Sequence, residues 1–368
     1  MPTVSIPALG LQLQAEADEN LLKVLRRPRV PIGWSCKRGE CGSCKCVLER
    51  GEVDLQGYQP GALPASQREQ GIILACSSRI VGDVQLGLVD TDDYIEHPIR
   101  SLACRVLWLR ELAPEVFALR LRIVADLGEG GDGAGADAAA GGPFLFSAGQ
   151  YAHLRARDAR GEWIGRDFSM AGTPVEAEYD GELEFHIRRT PSGSFSGLLG
   201  EAIVAGTELR LEGPMGRAYF RPRHEGPLYA VAAGTGLGPM LSVVQTALDN
   251  GKTDPVVLYA GFRSVSEVYG VDRMEELARR HAQFRAHVVV EFDAPGGLRG
   301  GRVGDALFAD VKDFRDAKVY LAGSPAMVEA VSAELLTRGL ASRDVHADAF
   351  YAPAPEAIHV ARAGAAKG

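Results

Sequence analysis

Four cysteines, Cys36, Cys41, Cys44 and Cys76, constrain this chain more than any other feature. Four residues separate the first pair and two the second, while the last lies far downstream. That is the spacing of a plant-type [2Fe–2S] cluster. Two tetrahedral irons need four thiolates converging on one small volume, so a tight loop supplies three and a distant segment closes the cage. Gly39 and Gly42 let the backbone curl around the cluster and aim amides at its sulfurs. A structural zinc site is the competing use of four thiolates. Such sites usually present two Cys-x2-Cys knuckles, and here there is one. Cys46 and Cys104 fit no ligand role and read as small buried hydrophobes.

At 368 residues the chain exceeds one ordinary core and divides into two or three domains. With 46% hydrophobic and 24% charged residues it is globular in composition, and its net charge of −8 gives a nucleic-acid partner no electrostatic support. Met1–Pro7 has no basic start followed by an apolar run, so no signal peptide is read, and no apolar stretch is long enough to span a bilayer. A cytoplasmic location without membrane contact is expected. In a reducing compartment, six cysteines argue for metal rather than disulfides.

Three regions follow. Residues 1–93 alternate short strands (Val4–Ile6, Gln12–Gln14, Cys46–Glu49) with one helix, 20–26, and end in a polar linker. Residues 99–224 carry dense alternating strands, as in a small antiparallel barrel. A Gly/Ala/Asp insert at about 126–142 has nothing to bury and reads as a flexible loop. In 225–352, strands at 228–232, 256–259, 287–290 and 318–321 alternate with helices at 239–248 and 327–338, the pattern of a parallel sheet with crossover helices. Residues 353–368 read as a tail.

Within the second region, Arg166-Asp167-Phe168-Ser169 reads as the end of a strand that begins near Gly149-Gln150-Tyr151. Pro191 to Ser196 reads as a helix start. Arg166 can neutralise a diphosphate, Phe168 can lie against a ring, and Ser169 can reach a ring nitrogen. Gly193 and Ser196 can hold phosphate. In the third region, Gly234-Thr235-Gly236-Leu237-Gly238-Pro239 follows a strand and opens a helix, so its backbone can approach a diphosphate closely. Its Gly-x-Gly-x-Gly-Pro spacing is not the Gly-x-Gly-x-x-Gly of the common dinucleotide fold, and a generic glycine turn is the alternative. Arg263, at the next strand end, can meet a 2′-phosphate or stack on adenine. No acidic residue there grips a ribose diol.

The chain resembles ferredoxin–NAD(P)+ reductase-like proteins that carry an N-terminal plant-type ferredoxin domain. It is most like the reductase component of naphthalene-dioxygenase-type aromatic-ring-hydroxylating systems. The likeness rests on Ser35 through Cys46, Tyr94-Ile95-Glu96-His97-Pro98, Phe168-Ser169-Met170-Ala171-Gly172, Phe185-His186-Ile187-Arg188, Gly213-Pro214-Met215-Gly216, Ala326-Met327-Val328-Glu329 and His346 to Tyr351.

It implies a multidomain fold: a β-grasp [2Fe–2S] domain, an antiparallel β-barrel binding FAD, and an α/β parallel-sheet domain binding NAD(P). It places Arg166, Phe168, Ser169, His186, Ile187, Arg188, Gly193, Ser194 and Ser196 near FAD. Gly234, Thr235, Gly236, Gly238, Pro239, Arg263, Gly323, Ser324, Pro325 and Met327 fall near the nicotinamide nucleotide, with NADH favoured and NADPH the alternative. Phe350 resembles the family's near-terminal aromatic that covers the flavin, and with Ser169 it would act at the reacting centre. Phe168 stands where the family usually has Tyr, and Ala322 where its Cys-Gly-Pro-type turn has Cys. The implied activity is hydride uptake from the nicotinamide onto the flavin and single-electron delivery through the cluster. A Rieske-type ferredoxin or terminal oxygenase would be the acceptor. Two other readings are a reductase for a di-iron monooxygenase or deoxysugar-forming enzyme, and a non-catalytic iron–sulfur redox sensor, for which Ala322 is the best support.

Overall fold

The structure is a computed structural model. It describes all residues except 29, 31, 35, 36, 40, 41, 60, 61, 64, 90–94, 129–141, 191, 192, 295 and 352–368. Most of the insert, part of the linker and the tail therefore lie outside the described residues.

The N-terminal region contains β1 (Thr3–Ile6), β2 (Leu11–Gln14), α1 (Leu21–Arg26), β3 (Lys45–Arg50), β4 (Val53–Leu55), α2 (Ala65–Glu69), β5 (Ile72–Leu74), β6 (Ser78–Ile80) and β7 (Val84–Leu88). Five strands form one sheet in the order β2-β1-β7-β3-β5, and β4 pairs with β6 separately. Only the β1–β7 pair within the five-stranded sheet is parallel. The Asn20 side chain caps α1 by accepting from Lys23 N at 3.3 Å. The helix then lays Leu21, Leu22, Val24 and Leu25 onto the sheet, each removed from water at about 1.5–3 kcal/mol.

The middle region is all antiparallel: β8 (Arg100–Ala113), β9 (Val116–Asp126), β10 (Tyr151–Arg157), β11 (Trp163–Ser169), β12 (Glu182–Arg188) and β13 (Glu208–Met215), ordered β11-β10-β13-β8-β9-β12. The two end strands meet. Met170, just past β11, bridges Phe185 of β12, and Ala171 N donates to Glu184 O at 2.7 Å, so the sheet closes into a barrel. Alternation along β12 sends Leu183, Phe185 and Ile187 into the core and leaves Glu182, Glu184, His186 and Arg188 on the other face.

Two expectations are corrected here. Residues 149–169 do not form one strand: β10 and β11 make a hairpin. Its turn is built by the Asp158 carboxylate, which accepts from Arg160 N and Glu162 N, and by left-handed Gly161 at φ +82°. The segment before Ser196 opens no α-helix either, only a single 3-10 turn over Ser196–Leu198.

The C-terminal region holds β14 (Leu228–Ala233), β15 (Val256–Phe262), β16 (Phe284–Val290), β17 (Arg299–Gly300), β18 (Lys318–Gly323) and β19 (Val345–Ala349), all parallel and ordered β17-β16-β15-β14-β18-β19. Helices α4 (Leu237–Asp249), α5 (Val271–Arg280), α6 (Val303–Asp310) and α7 (Pro325–Thr337) cross between them, and α3 (Pro174–Tyr179) belongs to the barrel. Strand order reverses between β14 and β18. In such sheets the crevice outside that reversal is where nucleotides bind. Among the described residues no helix is long and apolar enough to cross a membrane.

Arg120 on β9 is the barrel's chief polar tie, bonding Glu176 at 3.0 Å, Glu182 at 3.0 Å and Glu184 at 3.1 Å. Burial opposes ionisation of Glu184, yet His186 and Arg120 hold its carboxyl below the ordinary range. Arg122 and Arg120 do the same for Glu182 against its burial. Carboxyls depressed in this way stabilise the fold above about pH 4 and lose that contribution as pH falls. Arg120→Ala should therefore cost about 1–3 kcal/mol at neutral pH, less than for a fully buried ion because water reaches the carboxylates. In denaturant titrations the gap from wild type should narrow as the pH is lowered toward about 3.

Candidate functional site

In the N-terminal region the loop between α1 and β3 faces the end of β5. Cys44 is buried and Cys76 half-buried. Cys76 N donates to Cys44 Sγ at 3.4 Å, and Asn20 Nδ2 donates to Cys76 O at 2.7 Å. One side chain thus caps α1 and holds the distant cysteine. Cys36 and Cys41 lie outside the described residues. Gly39 (φ +75°) and Gly42 (φ +69°) both adopt left-handed backbone. A Cβ on Gly39 would lie 2.5 Å from Ser77 Oγ, so only glycine fits beside the Cys76–Ser77 turn. Two thiols brought together, with an amide aimed at one sulfur, suit a thiolate-held cluster. Cys46 and Cys104 are sealed in cores, and burial pushes both thiols up to about 12. They behave as the hydrophobes expected.

This loop touches the barrel. A Cβ on Gly33 would lie 2.0 Å from Cδ of Arg217, in the segment after β13. Farther along, the Tyr219 hydroxyl accepts from Ile95 N at 2.9 Å, and the Arg221 guanidinium lies 3.7 Å over the Tyr219 ring. Arg221 N donates to the Tyr320 hydroxyl of β18 at 3.0 Å. Linker, barrel and parallel sheet meet in one stack.

On the barrel, Arg166, Phe168 and Ser169 lie along β11, and His186, Ile187 and Arg188 along β12. Barrel closure makes these strands neighbours. Arg166 and Ser194 are exposed, and Ile187 points into the core. Phe168 packs on Phe195, with centroids 5.1 Å apart. Gly193 and Ser196 share a tight loop: Ser196 Oγ accepts from Thr190 N at 3.2 Å, and a Cβ on Gly193 would meet that oxygen at 2.3 Å. This loop is a cradle of small residues, and Arg166 on β11 is an exposed cation of the kind a diphosphate needs.

At the strand reversal, Gly234, Thr235 and Gly236 form a 3-10 turn after β14, and Gly238 and Pro239 lie in the first turn of α4. A Cβ on Gly236 would lie 2.1 Å from Ala322 O, and one on left-handed Gly323 2.7 Å from Ala233 O. The two strand ends pack backbone to backbone. Ser324 stands at the N-cap position of α7 without a side-chain capping bond, Pro325 is the helix's first residue, and Met327 is partly buried. Arg263 is exposed past β15. Ala322 is fully buried among β14 and α4 residues.

The barrel and the parallel sheet are joined at this point. Ser169 Oγ donates to Asp348 Oδ2 at 2.6 Å across the junction, and within the C-terminal region Phe350 N donates to Gly323 O at 2.9 Å. Asp348, Tyr269 and Glu267 were not foreseen as site residues. Glu267 pairs with Arg188 at 3.3 Å. Only Asp348 lay within a stretch that pointed to the site, the run His346 to Tyr351.

Three family models match in succession: a 2Fe-2S iron-sulfur cluster binding domain at 7–81, an oxidoreductase FAD-binding domain at 142–220 and an oxidoreductase NAD-binding domain at 230–333. The naphthalene 1,2-dioxygenase system ferredoxin–NAD(P)+ reductase component of Pseudomonas putida is 35% identical over 91% of this chain and 94% of its own. The reductase subunit of an Amycolatopsis aromatic O-demethylase is 32% identical over 95% and 98%. The crystal structure of Amycolatopsis cytochrome P450 reductase GcoB superimposes with a TM-score of 0.69 at 31% identity, covering 95% of this chain and 99% of that one. With a cluster loop, a flavin barrel and a nicotinamide sheet in one polypeptide, this chain belongs to the family of NAD(P)H-dependent ferredoxin–NAD(P)+ reductases that use FAD and a [2Fe–2S] cluster.

Proposed function

We propose that the chain is the cytoplasmic reductase component of a multicomponent oxygenase, delivering electrons singly to a Rieske-type ferredoxin or to the terminal oxygenase. The observation that carries this reading is the 2.6 Å bond from Ser169 to Asp348, which ties the flavin-side strand to the nicotinamide-side sheet. The division of labour follows 1–93 for the cluster, 99–224 for FAD and 225–352 for the nicotinamide nucleotide. Cys36, Cys41, Cys44 and Cys76 would ligate the irons. Arg166 and the Gly193–Ser196 loop would bind the FAD diphosphate, and Ser194 and Arg188 would lie along it. Phe168, Ser169, Ile187 and His186 would border its ring, with Phe350 over it. The 234–239 turn and the Gly323-Ser324-Pro325 corner, backed by Met327, would receive NADH, and Arg263 its adenosine half. Bound together, the three groups convert a two-electron donor into single-electron delivery. The chain's own residues align and shield them.

The cytochrome P450 reductase among its structural relatives favours a second customer class, a cytochrome P450. Purified candidate acceptors, tested one at a time with NADH, separate the two.

The purified protein should contain about two irons and two sulfides per chain. Anaerobic NADH should bleach its absorbance near roughly 450 nm; a sensor would leave the spectrum unchanged, and a colourless zinc protein would end the proposal. Cys76→Ser should keep NADH-dependent ferricyanide reduction through the flavin while reduction of a protein acceptor falls at least about tenfold. Gly236→Ala, which drives a methyl into Ala322 O, should raise KM for NADH about tenfold or more with FAD content unchanged.

A further inference from the structure

Charge is spread unevenly over this acidic chain. Residues 20–45, from the cap of α1 through the cluster loop to the start of β3, hold seven of its 40 basic residues and one of its 48 acidic ones. A segment at +6 thus surrounds the cysteines of a chain whose net charge is −8.

Folding gathers part of that charge on one ring. The Arg26 guanidinium lies 3.8 Å from the centroid of the half-buried Trp34, and the Lys37 ammonium 4.7 Å from it. Arg26 ends α1, and Lys37 follows Cys36 in the loop. Both are exposed, and among the described residues neither is paired with a carboxylate. The neighbouring Arg27, by contrast, is bound to Glu19 at 2.5 Å. An indole face attracts each cation, yet two like charges at one ring repel each other. Carboxylates brought by another molecule would relieve both. Tryptophan and arginine are also the side chains that most often anchor protein interfaces.

The loop has a dry side and a wet one. Gly33, next to Trp34, is buried, and a Cβ there would meet both Arg217 of the barrel segment and Ser43 O. Lys37 and Arg38 face water. An outside protein can reach this loop only on the wet side, where the cations stand.

On the reading that electrons leave through the Cys36, Cys41, Cys44 and Cys76 cluster, we propose that Arg26, Trp34 and Lys37 form the docking surface for the electron acceptor. That acceptor is a protein with an acidic face around its own redox centre. Charge of this kind steers encounter, so it acts on kcat/KM and is screened by salt.

Holoenzyme is supplied with NADH and two haem proteins of opposite charge, acidic cytochrome b5 and basic cytochrome c. Wild-type kcat/KM for cytochrome b5 should fall at least about tenfold between about 20 mM and about 500 mM salt, and that for cytochrome c should not fall. Arg26→Glu with Lys37→Glu should lower kcat/KM for cytochrome b5 at least about tenfold in low salt and less than about twofold in high salt. The dissociation constant for oxidised cytochrome b5, measured by calorimetry without NADH, should rise by a similar factor. Iron content, FAD content and the rate of NADH bleaching should match wild type. Arg279→Glu with Arg315→Glu changes the net charge equally on the C-terminal region and should cost less than about threefold. Arg26→Gln with Lys37→Gln should show an intermediate loss and serves where the reversed pair does not fold. A wild-type rate for cytochrome b5 indifferent to salt, or a loss no greater than in the remote pair, would overturn the proposal. So would a loss shared by cytochrome c or persisting in high salt, since the cations would then serve the cluster rather than a partner. Undiminished cytochrome b5 reduction by Cys76→Ser would instead overturn the reading that electrons leave through the cluster.

Discussion

Closure of the barrel between β11 and β12 is the constraint on which the flavin end of the molecule depends. These strands stand at opposite ends of the sheet order, and the Met170–Phe185 bridge and the bond from Ala171 N to Glu184 O make them neighbours. Without it, Phe168 and Ser169 would have no spatial relation to His186 and Arg188. With it, the hydroxyl of Ser169, the imidazole of His186 and the guanidinium of Arg188 all face the C-terminal region together. The same seam meets the C-terminal sheet through Ser169–Asp348 and Arg188–Glu267. A hydrogen-bonding choice local to two strands thus determines where the barrel and the parallel sheet adjoin.

Phe168 and Ala322, which stand where the resemblance led Tyr and Cys to be expected, have a common physical account in packing. Phe168 rests on Phe195 at the barrel's edge, and both rings contribute to the core there. A phenylalanine satisfies this contact without a phenol needing a partner. Ala322 lies in the all-buried β18, its carbonyl hard against Gly236. Its methyl packs between β14 and α4 residues, so the corner keeps its shape with a smaller side chain.

Much of the architecture was legible because its signals are local. The parallel strands read as continuous apolar runs, Gly234 to Gly238 sits between a strand and a helix, and the cysteine spacing is chemistry written in four positions. The β10–β11 hairpin was missed because its turn rests on one aspartate and one glycine inside a polar run, a weaker mark than Asn-Gly. Asp348 escaped because its partner is 179 residues away. Tyr269 and Glu267 sit in a connecting segment without a motif, and nothing in their spacing announces the strand they grip. Sites assembled across domains are the ones a single sequence hides best.

The contact between Gly33 and Arg217 has an electrical consequence. Gly33 lies three residues before Cys36, and a methyl there would collide with an arginine arm reaching from the barrel. The hydrogen atom in its place lets the iron-bearing loop sit flush against the flavin-bearing domain. Tunnelling falls off steeply with the gap between donor and acceptor, so even a small separation at this seam would throttle current between the carriers. A glycine that makes room for one arginine would thereby bear on how fast electrons cross between loop and barrel.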